Sequence, residues 1–197
     1  TRSAYFNSTS TRNIPFHVNL NSSTARIYSW IGQKDAGNRY AVLGTNVFTF
    51  AGVKTELKNS TLNLFKWLLK QPNSADILNQ KLVVLVPGSS DRTALADWFT
   101  SNGLRHQWTI ASDNNLLNTG AFDVYLGDLT RSMKKKKKAL ALSKPVVVFN
   151  NWYQPADATL ALFDLTWSWY GANSIGNVTN VADQCNKSSA VGVIQTT

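Results

Sequence analysis

Cysteine, methionine and histidine are scarce in this sequence, and each shortage excludes a kind of protein. The 197 residues include one cysteine, Cys185, which has no partner for an internal disulfide and cannot complete a thiolate metal site. We therefore expect packing to stabilise the fold, with Cys185 as a buried, inert thiol. The one methionine is Met133 and the chain begins at Thr1, so we expect a processed product or a part of a longer polypeptide.

Histidine and glycine patterns exclude the common catalytic and cofactor motifs. The two histidines, His17 and His106, cannot form a zincin helix, which needs two imidazoles four residues apart. The glycines form no dinucleotide fingerprint. The turn PGSSDR at residues 87–92 lacks the lysine of a P-loop and the second glycine of a serine-nucleophile turn. We therefore expect neither a cofactor nor a metal in this chain.

Long apolar runs are also missing. The longest uninterrupted one covers residues 82–86, so no membrane span is predicted. The composition, with 43% hydrophobic residues and seven tryptophans, is that of one globular domain. The net charge of +9 is compatible with nucleic acid, acidic polysaccharide or anionic lipid. Residues 134–138, however, are five consecutive lysines, which point all round a helix and are typical of a solvated face.

Hydrophobic patterning divides the chain into three parts. Residues 1–25 are rich in Ser, Thr and Asn and predict an irregular polar arm. Residues 26–171 alternate between strand and helix patterns, which predicts an α/β domain with a doubly wound, mainly parallel, flavodoxin-like sheet. Residues 172–197 lose periodicity and predict an exit segment or a linker to a following domain. Within the middle part, strands are expected at 26–31, 40–50, 82–86, 107–111, 122–126 and 145–149, and helices at about 55–71, 90–102, 129–142 and 157–170.

Two polar turns follow the two wholly apolar strands of this pattern. Because the carboxyl ends of parallel strands meet at one edge of a sheet, both turns should share that edge. Backbone N–H groups at a helix start, hydroxyls, amides and rings suit a neutral or weakly anionic sugar. The simpler alternatives are a helix cap for the first turn and rings that cover the sheet end for the second. The candidate ligand-binding residues are Ser89, Ser90, Asp91, Asn150, Asn151, Trp152 and Tyr153.

Four runs resemble a known domain: YAVLGTNVFTF (40–50), LNLFKWLL (62–69), VVLVPGSSD (83–91) and KPVVVFNNWY (144–153). They are similar to the amidotransferase-like domain ahead of the catalytic domain in secreted M60-type (enhancin-like) metallopeptidases, the ImpA and AcfD group. The resemblance covers roughly residues 26–171. It implies a class I amidotransferase-like three-layer domain in a protein that is secreted or on the bacterial cell surface. Its partners would be the following domains of the parent chain and a mucin-like glycoprotein or glycan.

The resemblance also implies that this chain is non-catalytic. The family's His-Glu-x-x-His zinc helix is absent here, and the nucleophilic cysteine of class I amidotransferases would fall at residues 150–152, which hold no thiol. We therefore expect an accessory or binding domain of a zinc metallopeptidase that acts on glycoproteins.

Two other interpretations stay open. One is a small α/β hydrolase or amidotransferase-like enzyme in which Ser89, Ser90 or Cys185 acts with His106 or His17, which requires a nucleophile and histidine about 3 Å apart. The other is a nucleic-acid-binding module that uses the lysine run at 134–138, with affinity that falls steeply with salt. We expect nucleic acid to be a poorer partner than a glycan.

Overall fold

The computed structural model describes residues 3–19, 26–49, 55–71, 77, 79–102, 108–151, 155–171 and 178–180. The strands are β1 (Ser3–Asn7), β2 (Asn13–Asn19), β3 (Arg26–Gln33), β4 (Arg39–Leu43), β5 (Leu82–Leu85), β6 (Trp108–Ala111), β7 (Val124–Asp128), β8 (Val146–Phe149), β9 (Thr166–Gly171) and β10 (Val178–Asn180). The α-helices are α1 (Thr55–Leu68), α2 (Ser89–Ser101), α3 (Leu116–Thr119), α4 (Met133–Ala141) and α5 (Asp157–Leu160), with 3-10 turns at Val47–Thr49 and Ala161–Phe163.

A mixed sheet of eight strands forms the centre of the described fold. Its order is β10-β2-β3-β4-β8-β7-β5-β6. The strands from β4 to β6 are all parallel to one another, and β10, β2 and β3 extend the sheet in antiparallel pairs. The predicted α/β class with a parallel sheet is therefore confirmed for the β4–β6 half. The antiparallel pairing of β10, β2, β3 and β4 was not predicted, although β3 and β4 were each expected as strands.

Successive side chains along the strands point to opposite faces of the sheet and pack into a hydrophobic core on each face. On β4, Ala41 and Leu43 face one core, whereas Tyr40 and Val42 face the other. Helices α1 and α2 cover the first core with large buried side chains that include Phe65 and Trp98. Helices α3, α4 and α5 cover the second. Because apolar side chains leave both faces, helices must cover both, and the fold has three layers.

The polar residues near the amino terminus are part of this fold. The sequence predicted an irregular arm over 1–25, but residues 3–7 and 13–19 form β1 and β2. The prediction is therefore wrong for these residues. Strand β1 lies so close to the end of β4 that a Cβ on Gly44 would meet the Ala4 carbonyl oxygen at 2.0 Å. The buried Tyr40 hydroxyl donates to Asn13 Oδ1 at 2.5 Å, and Asn13 Nδ2 donates to the Phe163 carbonyl at 2.9 Å.

The predicted helix over 157–170 is also wrong beyond its first turns. The 3-10 turn that follows α5 ends at Phe163, and Asp164 after it has a positive φ of 55°, which turns the chain. Residues 166–171 then form β9, which pairs antiparallel with β1 in a separate two-stranded sheet. The sequence TWSWYG has high strand propensity, and the distant β1 supplies its hydrogen-bond partner. Most of the predicted exit segment lies outside the described residues, although 178–180 form β10.

No helix in the described parts of the chain is long and apolar enough to cross a lipid bilayer.

His17 is enclosed between the sheet and helix α1. Its side chain is 1% exposed, and its Nε2 lies 2.7 Å from the buried Ser60 hydroxyl. The imidazole stacks on Tyr28 with ring centroids 5.3 Å apart. Burial lowers the pKa of His17 from 6.5 to about 3. The folded protein therefore holds this histidine neutral at pH values at which an unfolded chain would protonate it.

This difference in pKa predicts acid sensitivity. Between pH 6.5 and about 3 the unfolded state binds the extra proton, so stability is present above pH 6.5 and is lost as the pH falls. The expected loss is about 1.4 kcal/mol of unfolding free energy per pH unit. Urea denaturation at several pH values should show this slope for the native chain and a shallower one for His17→Gln. Equal slopes in both proteins would contradict the assignment.

Candidate functional site

The order of the parallel strands defines a crevice at their carboxyl ends. From β5 the chain passes through α2 to β6 on one side and then, through α3, to β7 on the other side of β5. The boundary between β5 and β7 is therefore a topological switch point. In open α/β sheets, ligands bind outside the carboxyl ends of the strands at such a point.

A cluster of four polar side chains lies at this edge. Asn151, just after β8, donates from Nδ2 to Asp91 Oδ1 at 3.0 Å and to Asp128 Oδ2 at 3.1 Å. Its Oδ1 accepts a hydrogen bond of 2.8 Å from Asn46 Nδ2. Asp91 follows β5, Asp128 ends β7 and Asn46 follows β4. We call Asn46, Asp91, Asp128 and Asn151 the edge cluster.

Asp91 enters the edge cluster from the first turn of α2. Gly88 precedes the helix, and no side chain caps it. The simpler interpretation of this turn as a side-chain cap is therefore wrong, because the residue at the cap position is Gly88 rather than a serine. A Cβ on Gly88 would lie 2.4 Å from Asp91 Oδ2, so glycine makes room for the carboxylate. A carboxylate in the first turn is favoured by the helix dipole.

Asp128 enters the cluster from the end of β7 and has a second set of partners. Its Oδ1 accepts hydrogen bonds of 2.7 Å from both the backbone N–H and the hydroxyl of Thr130. The guanidinium of Arg131 lies 4.0 Å from Oδ2. Beneath this turn, the buried ammonium of Lys136 donates to the Asp128 carbonyl at 2.9 Å and to the Arg131 carbonyl. The turn is therefore fixed both by bonds to the Asp128 carboxylate and by the Lys136 bonds to its backbone carbonyls.

Burial governs the electrostatics of the cluster. Asp91 is 5% exposed and Asp128 7% exposed. Burial raises the pKa of Asp91, the hydrogen bond from Asn151 opposes this shift, and the nearby Asp128 charge adds to it. Burial, together with Asp91 and Asp128, raises the pKa of Tyr125. Two carboxyl groups are thus held close together, with one amide between them to reduce their repulsion.

Some of the residues predicted for the site meet at this edge. Asp91 and Asn151 are hydrogen-bonded to each other, as the shared edge of parallel strands requires. Ser89 is exposed beside them. Asn150 is fully buried, and neither polar atom of its side chain has a hydrogen-bond partner among the described residues. The side chains of Ser90, Trp152 and Tyr153 lie outside the described residues.

Sequence reasoning missed Asn46 and Asp128. Asp128 could have been found, because it ends the apolar segment VYLGD (124–128), which is a parallel strand by the same pattern as β5. Asn46 lies in a segment that was predicted to be one long strand, whereas β4 ends at Leu43 and a 3-10 turn begins at Val47. The break places Asn46 in a loop at the carboxyl edge.

The described residues do not assemble the nucleophile and histidine pair of the hydrolase interpretation. His17 lies against Ser60 of α1 rather than against Ser89. His106 and Cys185 lie outside the described residues. Within the same residues, no group of three or more His, Cys, Asp or Glu side chains is placed to hold a metal ion.

The arrangement is suited to hydrogen bonding with a polyhydroxylated ligand. Carboxylates accept hydrogen bonds from hydroxyl groups, and the amides both donate and accept them. The hydroxyl of Ser89 and the guanidinium of Arg131 add donors at the exposed rim. The edge therefore offers polar groups of the kind that fix the orientation of a small polar ligand in a site.

The parallel half of the sheet, from β4 to β6, is doubly wound, and a polar cluster lies at its switch point. The fold is therefore of the α/β class. No protein-family model and no curated protein matches the sequence.

Solved structures that match are those of a bacterial metallopeptidase. The IMPa metallopeptidase from Pseudomonas aeruginosa superimposes with a TM-score of 0.56, 18% identity and 83% of this chain covered. Its complex with T-antigen gives a TM-score of 0.51 at 18% identity over 87% of this chain. Its complex with an O-glycopeptide gives 0.52 at 19% identity over 86%. This chain spans about a fifth of the length of those chains. The likeness shows a shared fold.

Changing Asn151 to Asp should destabilise the edge cluster. A third carboxylate would replace the amide that donates to Asp91 and Asp128, which should cost on the order of 2 kcal/mol of unfolding free energy at neutral pH. The deficit should shrink as the pH falls, because burial raises the pKa of Asp91 and its protonation removes one of the repelling charges. Thermal and urea denaturation measure both effects. Asn114→Asp, at an exposed position, is the matched control, and an equal loss in both variants would contradict the account.

Lys136→Met should destabilise the protein although methionine keeps most of the volume. The carbonyls of Asp128 and Arg131 would each lose a donor, at a cost of about 1–3 kcal/mol. The neighbouring Lys137 is exposed, so Lys137→Met should change stability by less than about 0.5 kcal/mol. Urea denaturation of the two variants measures their free energies of unfolding and so tests this difference. Similar stabilities would show that Lys136 does not support the turn.

Proposed function

We propose that this chain is a non-catalytic accessory or binding domain of an M60-type metallopeptidase that acts on glycoproteins. The observation that carries the proposal is the shared fold with IMPa over more than four-fifths of this chain. The chain spans about a fifth of IMPa, so the proposal places peptide hydrolysis in another part of the parent protein. The structural neighbours contain complexes with T-antigen and an O-glycopeptide, which supports a glycoprotein substrate.

The proposed role of the domain is to bind glycan at the carboxyl edge of its sheet. The edge cluster presents two carboxylates and two amides at a switch point, where folds of this class bind ligands. Trp152 and Tyr153 follow Asn151 directly in sequence, and aromatic rings stack on the apolar faces of sugars. In this role the domain would hold a mucin-like glycoprotein for the catalytic domain, outside the cell or on its surface. It would need no cofactor of its own.

Peptidase assays test the non-catalytic role. The purified chain, with and without added zinc, should leave a mucin-type glycoprotein uncut at enzyme concentrations at which a full-length M60-type peptidase cleaves it. Chelator-sensitive cleavage by this chain, abolished by replacement of a single side chain, would overturn the proposal.

Retention on immobilised mucin-type glycans tests the binding role. The chain should be retained, and Trp152→Ala with Tyr153→Ala should abolish retention while the thermal transition stays native. Trp67→Ala is a matched control, because Trp67 lies on α1, which covers the first core, and stacks with Arg39 at 4.9 Å. Unchanged retention in the double variant would exclude this surface.

A further inference from the structure

Four of the five consecutive lysines share the outward side of α4. Because successive helical residues are rotated by about 100°, Lys134, Lys135, Lys137 and Lys138 fall within an arc of about 160°, and Lys136 points the opposite way. The structure agrees: Lys134, Lys137 and Lys138 are exposed and Lys135 is half-buried. Lys136 is 0% exposed. The run therefore does point all round the helix and is mostly solvated, as predicted, and the prediction fails only for the buried Lys136.

Lys136 also fixes which side of the helix faces outward. Its ammonium is held by the carbonyls of Asp128 and Arg131, and Ala139 beside it packs in the second core. Burial lowers the pKa of Lys136 to about 8, and the Asp128 charge opposes that shift. The four outward lysines therefore lie on a helix whose inward side is fixed by these contacts. We call Lys134, Lys135, Lys137 and Lys138 the lysine face.

The positive charges of the lysine face are not neutralised within the described residues. None of the four lysines makes an ion pair there, and Lys138 donates to the neutral amide of Asn118. The first turn of α4 has no acidic residue. Lysines near a helix amino terminus oppose the helix dipole and cost stability. A bound polyanion would relieve this repulsion.

The chemistry of the lysine face favours a dense polyanion over a nucleic acid. Four ammonium groups lie within about two helical turns, so the complementary ligand needs several negative charges within the same short distance. Base readout and stacking use arginine forks and aromatic rings. The outward arc of α4 holds only lysines and Ala141.

The position of α4 connects the lysine face with the edge cluster. The helix begins five residues after Asp128, at the same carboxyl edge of the sheet. A glycan held at the edge could therefore continue along α4. This link rests on the glycan-binding role proposed above.

We propose that the lysine face binds a highly sulfated glycan. Sulfated sugars carry several charges per disaccharide, which matches the density of lysines, whereas a glycan with carboxylates alone carries about one. Lysine ammonium groups bind such charges without a fixed geometry. Binding should therefore depend strongly on salt and tolerate different sulfation patterns.

The probe is a heparin dodecasaccharide. Isothermal titration calorimetry at several salt concentrations measures its affinity for the protein. A triple variant that combines Lys134→Gln, Lys137→Gln and Lys138→Gln should bind heparin at least about tenfold more weakly. The slope of log affinity against log salt concentration should fall by about one unit per lysine removed. Glutamine keeps helix propensity close to that of lysine. The matched control replaces Lys66, Lys70 and Lys81 by Gln, which removes the same charge away from α4. It should bind heparin like the native chain.

Each other outcome overturns the proposal. Failure of the native chain to bind heparin at low salt, or equal losses in the two triple variants, removes the lysine face as a site. An affinity for unsulfated hyaluronan equal to that for heparin would show that the lysine face does not require sulfate groups. Equal or tighter binding of duplex DNA assigns the face to nucleic acid. Retention on neutral mucin-type glycans does not depend on these lysines, so failure of the edge site and failure of the lysine face are separable.

Discussion

The side-chain amide of Asn151 holds the carboxyl edge of the sheet together. Its nitrogen donates to two buried carboxylates, one in the first turn of α2 and one at the end of β7, and its oxygen accepts from Asn46 in the loop after β4. Without a donor between them, Asp91 and Asp128 would repel each other, and their burial leaves little solvent screening of that repulsion. The ends of β4, β5, β7 and β8 are therefore coupled through one residue, and the shape of the crevice depends on it.

Burial of the parallel strands explains why the polar residues of this half collect at the edge of the sheet. Strands β5, β7 and β8 are buried between two helical layers, so β5 and β8 are hydrophobic to their last residues and β7 becomes polar only at its last residue, Asp128. Polar groups are displaced to the points where the strands end. The change from apolar to polar side chains occurs within one residue after β8, at the buried Asn150, whose amide has no partner among the described residues.

Much of this edge could be predicted because it follows from local pattern and one topological rule. The apolar runs at 82–86 and 145–149 predicted parallel strands, and parallel strands place Asp91 and Asn151 at one edge. The rest depends on contacts between residues far apart in sequence. Strand β9 looked helical because its partner β1 lies about 160 residues away. The inward direction of Lys136 cannot be read from five identical residues, since the packing of Ala139 and the carbonyls of the 128–131 turn decide it.

The edge cluster, as proposed above, is a ligand site. Side-chain amide NMR resonances, with Asn46, Asn151 and the exposed Asn114 assigned, report on it directly during titration with T-antigen disaccharide. The account predicts saturable shifts for Asn46 and Asn151, with backbone shifts confined to the residues around 88–91, 128–131 and 150–153, and none for Asn114. Unchanged Asn46 and Asn151 resonances at a saturating concentration, or shifts centred elsewhere, would contradict it.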